Sequence, residues 1–226
     1  MKKLVSLLLV FLLVCPFAAF ALEGTYTRPE IEPNDNNIKS GEFLLGGTTD
    51  AVTVEGATVT ITTEDGLVFT YTEPENVFAI TQSVIASAQY LEKFYDDPGE
   101  QITQYIKNGT HLELIGFTSD GYVHAFFHDL GSDVLAAAIG DAATLSTADA
   151  DAVANMLEGQ LGCKFEYGTL GGNVWFVGDA LKTGKERVYF NTWVNGREVH
   201  GYAYFDGNAT LQDAYDMLAP LTISGK

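Results

Sequence analysis

The stretch 188–205 constrains the fold more than any other part of the sequence, because two runs rich in β-branched and aromatic residues flank the pair Asn195-Gly196. Both positions of a two-residue hairpin turn need a positive φ, which Asn and Gly tolerate best, so a β-hairpin is predicted here. The short turn also fixes the register of the two strands. The predicted cross-strand partners are Val194 with Arg197, Trp193 with Glu198, Thr192 with Val199, Asn191 with His200, Phe190 with Gly201, Tyr189 with Tyr202, and Val188 with Ala203. One face of the hairpin is therefore mostly aliphatic, and the other is aromatic with polar tips.

The N-terminus has the pattern of a secretory signal peptide over residues 1–21. Two lysines precede a short apolar run at 4–14, and an Ala-x-Ala site ends at Ala21. The run is shorter than the roughly 20 residues that a membrane span needs, so we expect cleavage and no transmembrane span in the mature chain. Cys15 leaves lipid anchoring as the lesser alternative, because Val14 is a poor residue before a lipid-modified cysteine. An uncleaved N-terminal anchor is the other alternative. The expected localisation is secreted or extracytoplasmic, in a bacterium.

The charge balance and the cysteine count restrict the partners and the source of stability. The formal net charge is −18, and removing the two signal lysines takes it to −20. Such an acidic chain is unsuited to nucleic acid or to anionic lipid, which both require clustered Lys and Arg. The mature chain keeps a single cysteine, Cys163, so no intrachain disulfide can form and stability must come from the hydrophobic core.

The remaining sequence divides into a tether and one domain. Residues 22–47 are rich in Pro, Asn and acidic residues, which predicts a flexible acidic tether before a single α/β domain at 48–226. Asp35, Asn37 and Glu42 resemble calcium-loop ligands, but Lys39 occupies what would be a ligand position, so a calcium loop is disfavoured.

Local patterns assign most elements of the domain. Alternation on either side of the turn 64–66 predicts a hairpin in which Val59 lies opposite Tyr71 and Ile61 opposite Phe69. The other predicted elements are a short strand at 77–80, two helices between 83 and 108, a hairpin of 111–117 with 122–129, helices within 132–161 with a cap at Ser146, a strand at 173–177, and a last helix capped by Thr210 and ended by Pro220.

This order of elements resembles the PsbP-like superfamily, which includes the DcrB-like lipoproteins. The likeness runs over about 66–221, and its best local match is the hairpin followed by a helix at 186–217. The resemblance implies an α+β fold with an antiparallel β-sheet between helical layers, an α-β-α sandwich. It also implies a binding or accessory role, because the family is mostly not catalytic. The family has no shared catalytic motif, so the resemblance assigns no functional residue.

The histidines and Cys163 are the candidate metal ligands and catalytic groups. His124 and His128 share a face of one predicted strand, where four residues span about 13 Å, too far for one metal ion. We therefore predict histidines that are bonded to their neighbours, and neither a metal nor a cofactor. Cys163 with His200 could form a thiol–imidazole pair, but the apolar neighbours of Cys163 favour a buried structural side chain. No catalytic residue is assigned.

The aromatic face of the hairpin is the candidate binding surface. Rings with polar edges are typical of positions where one side is apolar and the other meets a partner. The alternative is that a helix covers this face and makes the rings part of the core; the end at Trp193, next to the turn, is expected to stay most exposed. The candidate residues are Tyr189, Asn191, Trp193, Glu198, His200, Tyr202 and Tyr204.

The sequence favours a secreted, non-catalytic α/β domain that binds a protein or an envelope component through one face or end of its sheet. Two alternatives stay open: a secreted hydrolase that uses Cys163 or a carboxylate pair, and a lipoprotein tethered to the cell envelope. The reactivity of the Cys163 thiol separates the hydrolase from the binding domain, and the mass of the mature N-terminus identifies the lipoprotein.

Overall fold

A computed structural model describes residues 50–81, 109–119, 121–184 and 186–225. The predicted signal peptide at 1–21, the tether at 22–47 and the two helices between 83 and 108 lie outside these ranges. Within them the chain is α+β, as predicted, with two antiparallel sheets and three α-helices. No helix in these ranges is both long and apolar enough to cross a membrane.

The smaller sheet has four strands in the order β1-β2-β3-β11. Their bounds are β1 Ala51–Glu55, β2 Thr58–Thr62, β3 Leu67–Thr72 and β11 Leu221–Gly225. The β2–β3 hairpin has the predicted register, with Val59 opposite Tyr71 and Ile61 opposite Phe69. Gly66 supplies the positive φ of 90° that the three-residue turn requires. All the apolar side chains that alternate along this hairpin face inward and are fully buried.

The larger sheet has seven strands in the order β4-β5-β6-β10-β9-β8-β7. Their bounds are β4 Val77–Thr81, β5 Thr110–Phe117, β6 Gly121–Gly131, β7 Phe165–Leu170, β8 Asn173–Asp179, β9 Val188–Val194 and β10 Arg197–Gly207. The β9–β10 hairpin has the predicted register at every pair. Asn195 has a φ of 52° and Gly196 a φ of 70°, which are the left-handed values predicted for the turn.

Three α-helices complete the described part of the chain: α1 Val134–Ile139, α2 Thr147–Leu161 and α3 Leu211–Leu218. Ser146 caps α2, as predicted, by accepting a hydrogen bond from the backbone N–H of Asp149. Thr210 caps α3 in a reciprocal capping box with Asp213, which satisfies two otherwise unpaired groups. Short 3₁₀ turns lie at Ala142–Thr144 and Leu181–Thr183.

The hydrophobic residues form two clusters on opposite faces of the larger sheet. The main cluster joins the inner faces of both sheets with α3, and includes Phe69, Phe127 and Phe190. The second cluster lies where α1, the 3₁₀ turn at 142–144 and α2 meet β7, β8 and β9. The sequence predicted one sheet and a final helix, so β11 and the separate four-stranded sheet are corrections to that prediction.

Candidate functional site

The structure places all seven predicted binding residues on one face of the larger sheet. Pairing of β10 with β6 then sets three further rings beside them, with His200 opposite His128, Tyr202 opposite Phe126, and Tyr204 opposite His124. This face is divided into a covered half on β8 and β9 and a half-buried part on β6 and β10.

The covered half contains Tyr189, Asn191 and Trp193, all of which are buried. The indole of Trp193 is 0% exposed and meets the ring of Phe176 edge-on, with the ring centroids 5.6 Å apart. The prediction that the Trp193 end stays exposed is therefore wrong. Its cause is the segment 134–161, whose small side chains let α2 and the 3₁₀ turn approach the sheet over these rings.

The half-buried part carries a ring cluster that we call the tyrosine patch: Phe126, Tyr202, Tyr204 and Arg187. Tyr202 lies 5.2 Å from Phe126 and 5.5 Å from Tyr204 between ring centroids, the second pair being edge-to-face. The guanidinium carbon of Arg187 lies 5.1 Å from the centroid of Tyr204 and 5.9 Å from that of Tyr202. These distances are in the range of cation–π interactions. All four side chains are neither buried nor fully exposed.

A polar cluster of Asn191, Glu198 and His200 lies at the boundary between the two halves. The amide Nδ2 of Asn191 donates to Oε1 of Glu198 at 2.8 Å and lies 3.1 Å from Nδ1 of His200. Since the amide nitrogen can only donate, Nδ1 of His200 is assigned as an acceptor and the ring as neutral. This arrangement fixes both side chains relative to β9.

Burial shifts both titratable groups of this cluster toward their neutral forms. Desolvation lowers the pKa of His200 to about 4, and the neighbouring His128 contributes in the same direction. Desolvation raises the pKa of Glu198; the hydrogen bond from Asn191 opposes this rise and Asp133 adds to it. Burial likewise raises the pKa of Tyr202, so its hydroxyl is a hydrogen-bonding group and not an anion at neutral pH.

Each of the four histidines has a side-chain partner within the described ranges, as the sequence predicted. The pairs are His111 with Asp50, His124 with Glu113, His128 with Thr110, and His200 with Asn191. No group of three His, Cys, Asp or Glu side chains in those ranges is arranged to hold a metal ion.

Cys163 lies at the end of α2 and is buried in the second cluster, as the structural interpretation of this thiol predicted. The described strand positions that share the aromatic face carry no serine or cysteine. The aromatic face presents rings, the guanidinium of Arg187 and hydrogen-bonding side chains that include the carboxyl group of Glu198.

A separate cavity of about 370 Å³ lies at the end of the molecule where the β2–β3 and β9–β10 turns meet. Arg197 on its wall donates from Nε and Nη2 to Asp129 and from Nη2 to Asp65. Asp65 belongs to the turn of the smaller sheet, whereas Asp129 and Arg197 belong to the larger sheet. The guanidinium thus joins the two sheets, and its charge is already matched by two carboxylates.

Several residues of the site were not predicted from the sequence. Arg187 stands before the first strand of the hairpin, and the rings of His124, Phe126 and His128 come from β6. The alternation of β6 is visible in the sequence, but its pairing with β10 joins strands about 75 residues apart, for which no local signal exists. The sequence matches no protein-family model, and no curated protein is significantly similar to it.

Proposed function

We propose that the mature protein is a secreted, non-catalytic α+β domain that binds a protein or an envelope component through the tyrosine patch. The observation that carries this proposal is the half-buried group of Tyr202 and Tyr204 with Arg187 lying over both rings. Tyr and Arg are the side chains that most often dominate binding energy at protein interfaces. Tyr also offers a large contact area at a low cost in conformational entropy.

The surroundings of the patch support this role because they hold the rings in place. Tyr202 stacks on His128 at 5.4 Å between ring centroids and also contacts Phe126 in a tilted arrangement. The strands below are central in the sheet and hydrogen-bonded on both edges. A rigid platform loses little freedom on binding, so more of the contact energy appears as affinity.

The proposal includes a PsbP-like architecture with the large sheet between layers. In its support, α2 packs on one face of the larger sheet while α3 joins the main core on the other. Secretion rests on the signal pattern at 1–21.

Site-specific photo-crosslinking in the source cells tests the proposal. A photoreactive phenylalanine analogue replaces Tyr204 in the full chain, and the matched control carries it at Thr60, a half-buried strand position of the smaller sheet. We expect one reproducible adduct at position 204 that is absent at position 60 and is lost on adding Arg187→Ala. Adducts of equal yield at both positions would refute the assignment of the binding surface. An adduct at position 204 whose yield is unchanged by Arg187→Ala would also refute it.

A further inference from the structure

Helix α1 is apolar along its whole length, yet most of it faces solvent. Its sequence is Val-Leu-Ala-Ala-Ala-Ile, and only Ala136 is buried. Val134 is 90% exposed, Leu135 is 36% exposed, and Leu130, which ends β6 just before the helix, is 59% exposed. We call these three residues the α1 patch. Single exposed apolar side chains are ordinary, whereas a contiguous exposed apolar patch indicates an interaction surface, and these three side chains lie within six residues of the chain.

The α1 patch is held in a fixed position by the fold. Asp133 caps the helix by accepting a hydrogen bond from the N–H of Ala136 at 2.7 Å. At its other end, the carbonyl of Gly140 accepts a hydrogen bond from the N–H of Gly196 at 2.6 Å. The helix is thus attached to the turn of the main hairpin. Val134 is therefore exposed in a helix that is held at both ends, and not in an unwound terminus.

The charged residues that flank the α1 patch along the chain are acidic. The sequence has no Lys or Arg between Lys107 and Lys164. Acidic residues flank α1 at Asp133 and Asp141 and continue into α2. The nearby cation Arg197 does not offset them, because Asp129 and Asp65 already bind its guanidinium. An apolar centre with an acidic rim is complementary to an apolar anchor surrounded by basic residues.

We propose that the α1 patch is a docking site for a partner polypeptide whose apolar anchor is ringed by Lys or Arg. A second copy of this chain fits less well, because it would bring the same acidic rim and a net charge of −18 to the contact. The α1 patch shares no residue with the tyrosine patch, so this proposal goes beyond the proposed function and stands independently of it.

A designed peptide tests this chemistry without knowledge of the natural partner. The probe is a short fluorescent helical peptide with a leucine face and a lysine face, and its binding to the full chain is followed by fluorescence anisotropy. The test variant is Leu130→Ser with Val134→Ser, and the matched control is Val54→Ser, an equally apolar exposed residue on β1 that is 46% exposed. We expect the affinity of the double variant to fall about tenfold or more, while the control and Tyr204→Ala bind as the unmodified chain does.

Two further measurements test whether the contact depends on charge and on a continuous apolar face of the peptide. Raising the salt from about 0.05 M to about 0.5 M should weaken binding, because the rim charges are exposed and become screened. A peptide of the same composition with its leucines scattered should bind at least about tenfold more weakly. Equal binding by the double variant and the control, or by the two peptides, overturns the proposal. Sedimentation that shows a dimer dissociated by the double variant also overturns it, in favour of a second copy.

Discussion

The clearest energetic consequence of the polar cluster is a loss of stability on mild acidification caused by His200. Burial lowers the pKa of this imidazole from 6.5 to about 4 in the native state, whereas the unfolded chain keeps the ordinary value. Below pH 6.5 the unfolded state therefore binds a proton that the native state does not. The stability that depends on neutral His200 is complete above pH 6.5 and is lost as the pH falls toward 4.

The magnitude follows from these two pKa values. Between about pH 7 and about pH 5 the linkage removes about 2 kcal/mol from the free energy of unfolding. Glu198 acts in the opposite direction, because its raised pKa means that the cost of its buried carboxylate fades as the pH falls. The pH dependence of the unmodified chain combines the effects of His200 and Glu198. A variant that lacks the imidazole is therefore required to separate them.

The assay is urea unfolding of the unmodified chain and of His200→Asn at both pH values. The unmodified chain should lose about 2 kcal/mol more than the variant between the two conditions. NMR titration of the His200 ring in the native protein supplies a direct check, since the ring should remain neutral at about pH 5. Equal losses in both proteins, or a native His200 that titrates near 6.5, would refute the burial argument.

Two further perturbations test the core and the turn. Trp193→Ala and Phe190→Ala should each cost about 3–5 kcal/mol in denaturant melts, because both rings are fully buried on opposite faces of β9. A cost for Trp193→Ala below about 1 kcal/mol would contradict its complete burial against Phe176. Gly196→Val should cost about 1–3 kcal/mol, because the native φ is 70°, a conformation that a β-branched residue rarely adopts. The control Gly159→Ala lies in α2 with open space around it and should stabilise by up to about 1 kcal/mol; an equal loss in both variants would rule out backbone strain as the cause.

Local signals account for the parts of the fold that could be predicted. The Asn195-Gly196 turn determines the whole β9–β10 register, and the caps at Ser146 and Thr210 determine where two helices begin. The strand β11 could not be found in this way. No short turn joins it to its partner, because it pairs with β3 across about 150 residues of sequence, where only the assembled core selects the partner.

For the candidate site, too, the sequence predicted the local arrangement of side chains but not their tertiary packing. Alternation along the hairpin placed seven residues on one face, and that face exists. Exposure was not predictable, because it depends on where the segment 134–161 packs. The buried Trp193 and the half-buried Tyr204 have similar local sequence surroundings, and tertiary packing alone separates them.

The composition of the covering elements explains why the division falls between β9 and β10. The elements over β8 and β9 contribute Val153 and Leu157 of α2 and four alanines from α1, α2 and the 3₁₀ turn, namely Ala136, Ala142, Ala150 and Ala154. Small side chains let a helix approach large rings closely, so Trp193 and Phe176 lose all contact with solvent. Over Tyr202 and Tyr204 the described contact is instead the guanidinium of Arg187, which is planar and keeps its own need for water or a partner. A ring beneath α1, α2 and the 3₁₀ turn belongs to the core, whereas the rings of Tyr202 and Tyr204 keep part of their surface open, and this is why the binding surface proposed above lies on β6 and β10.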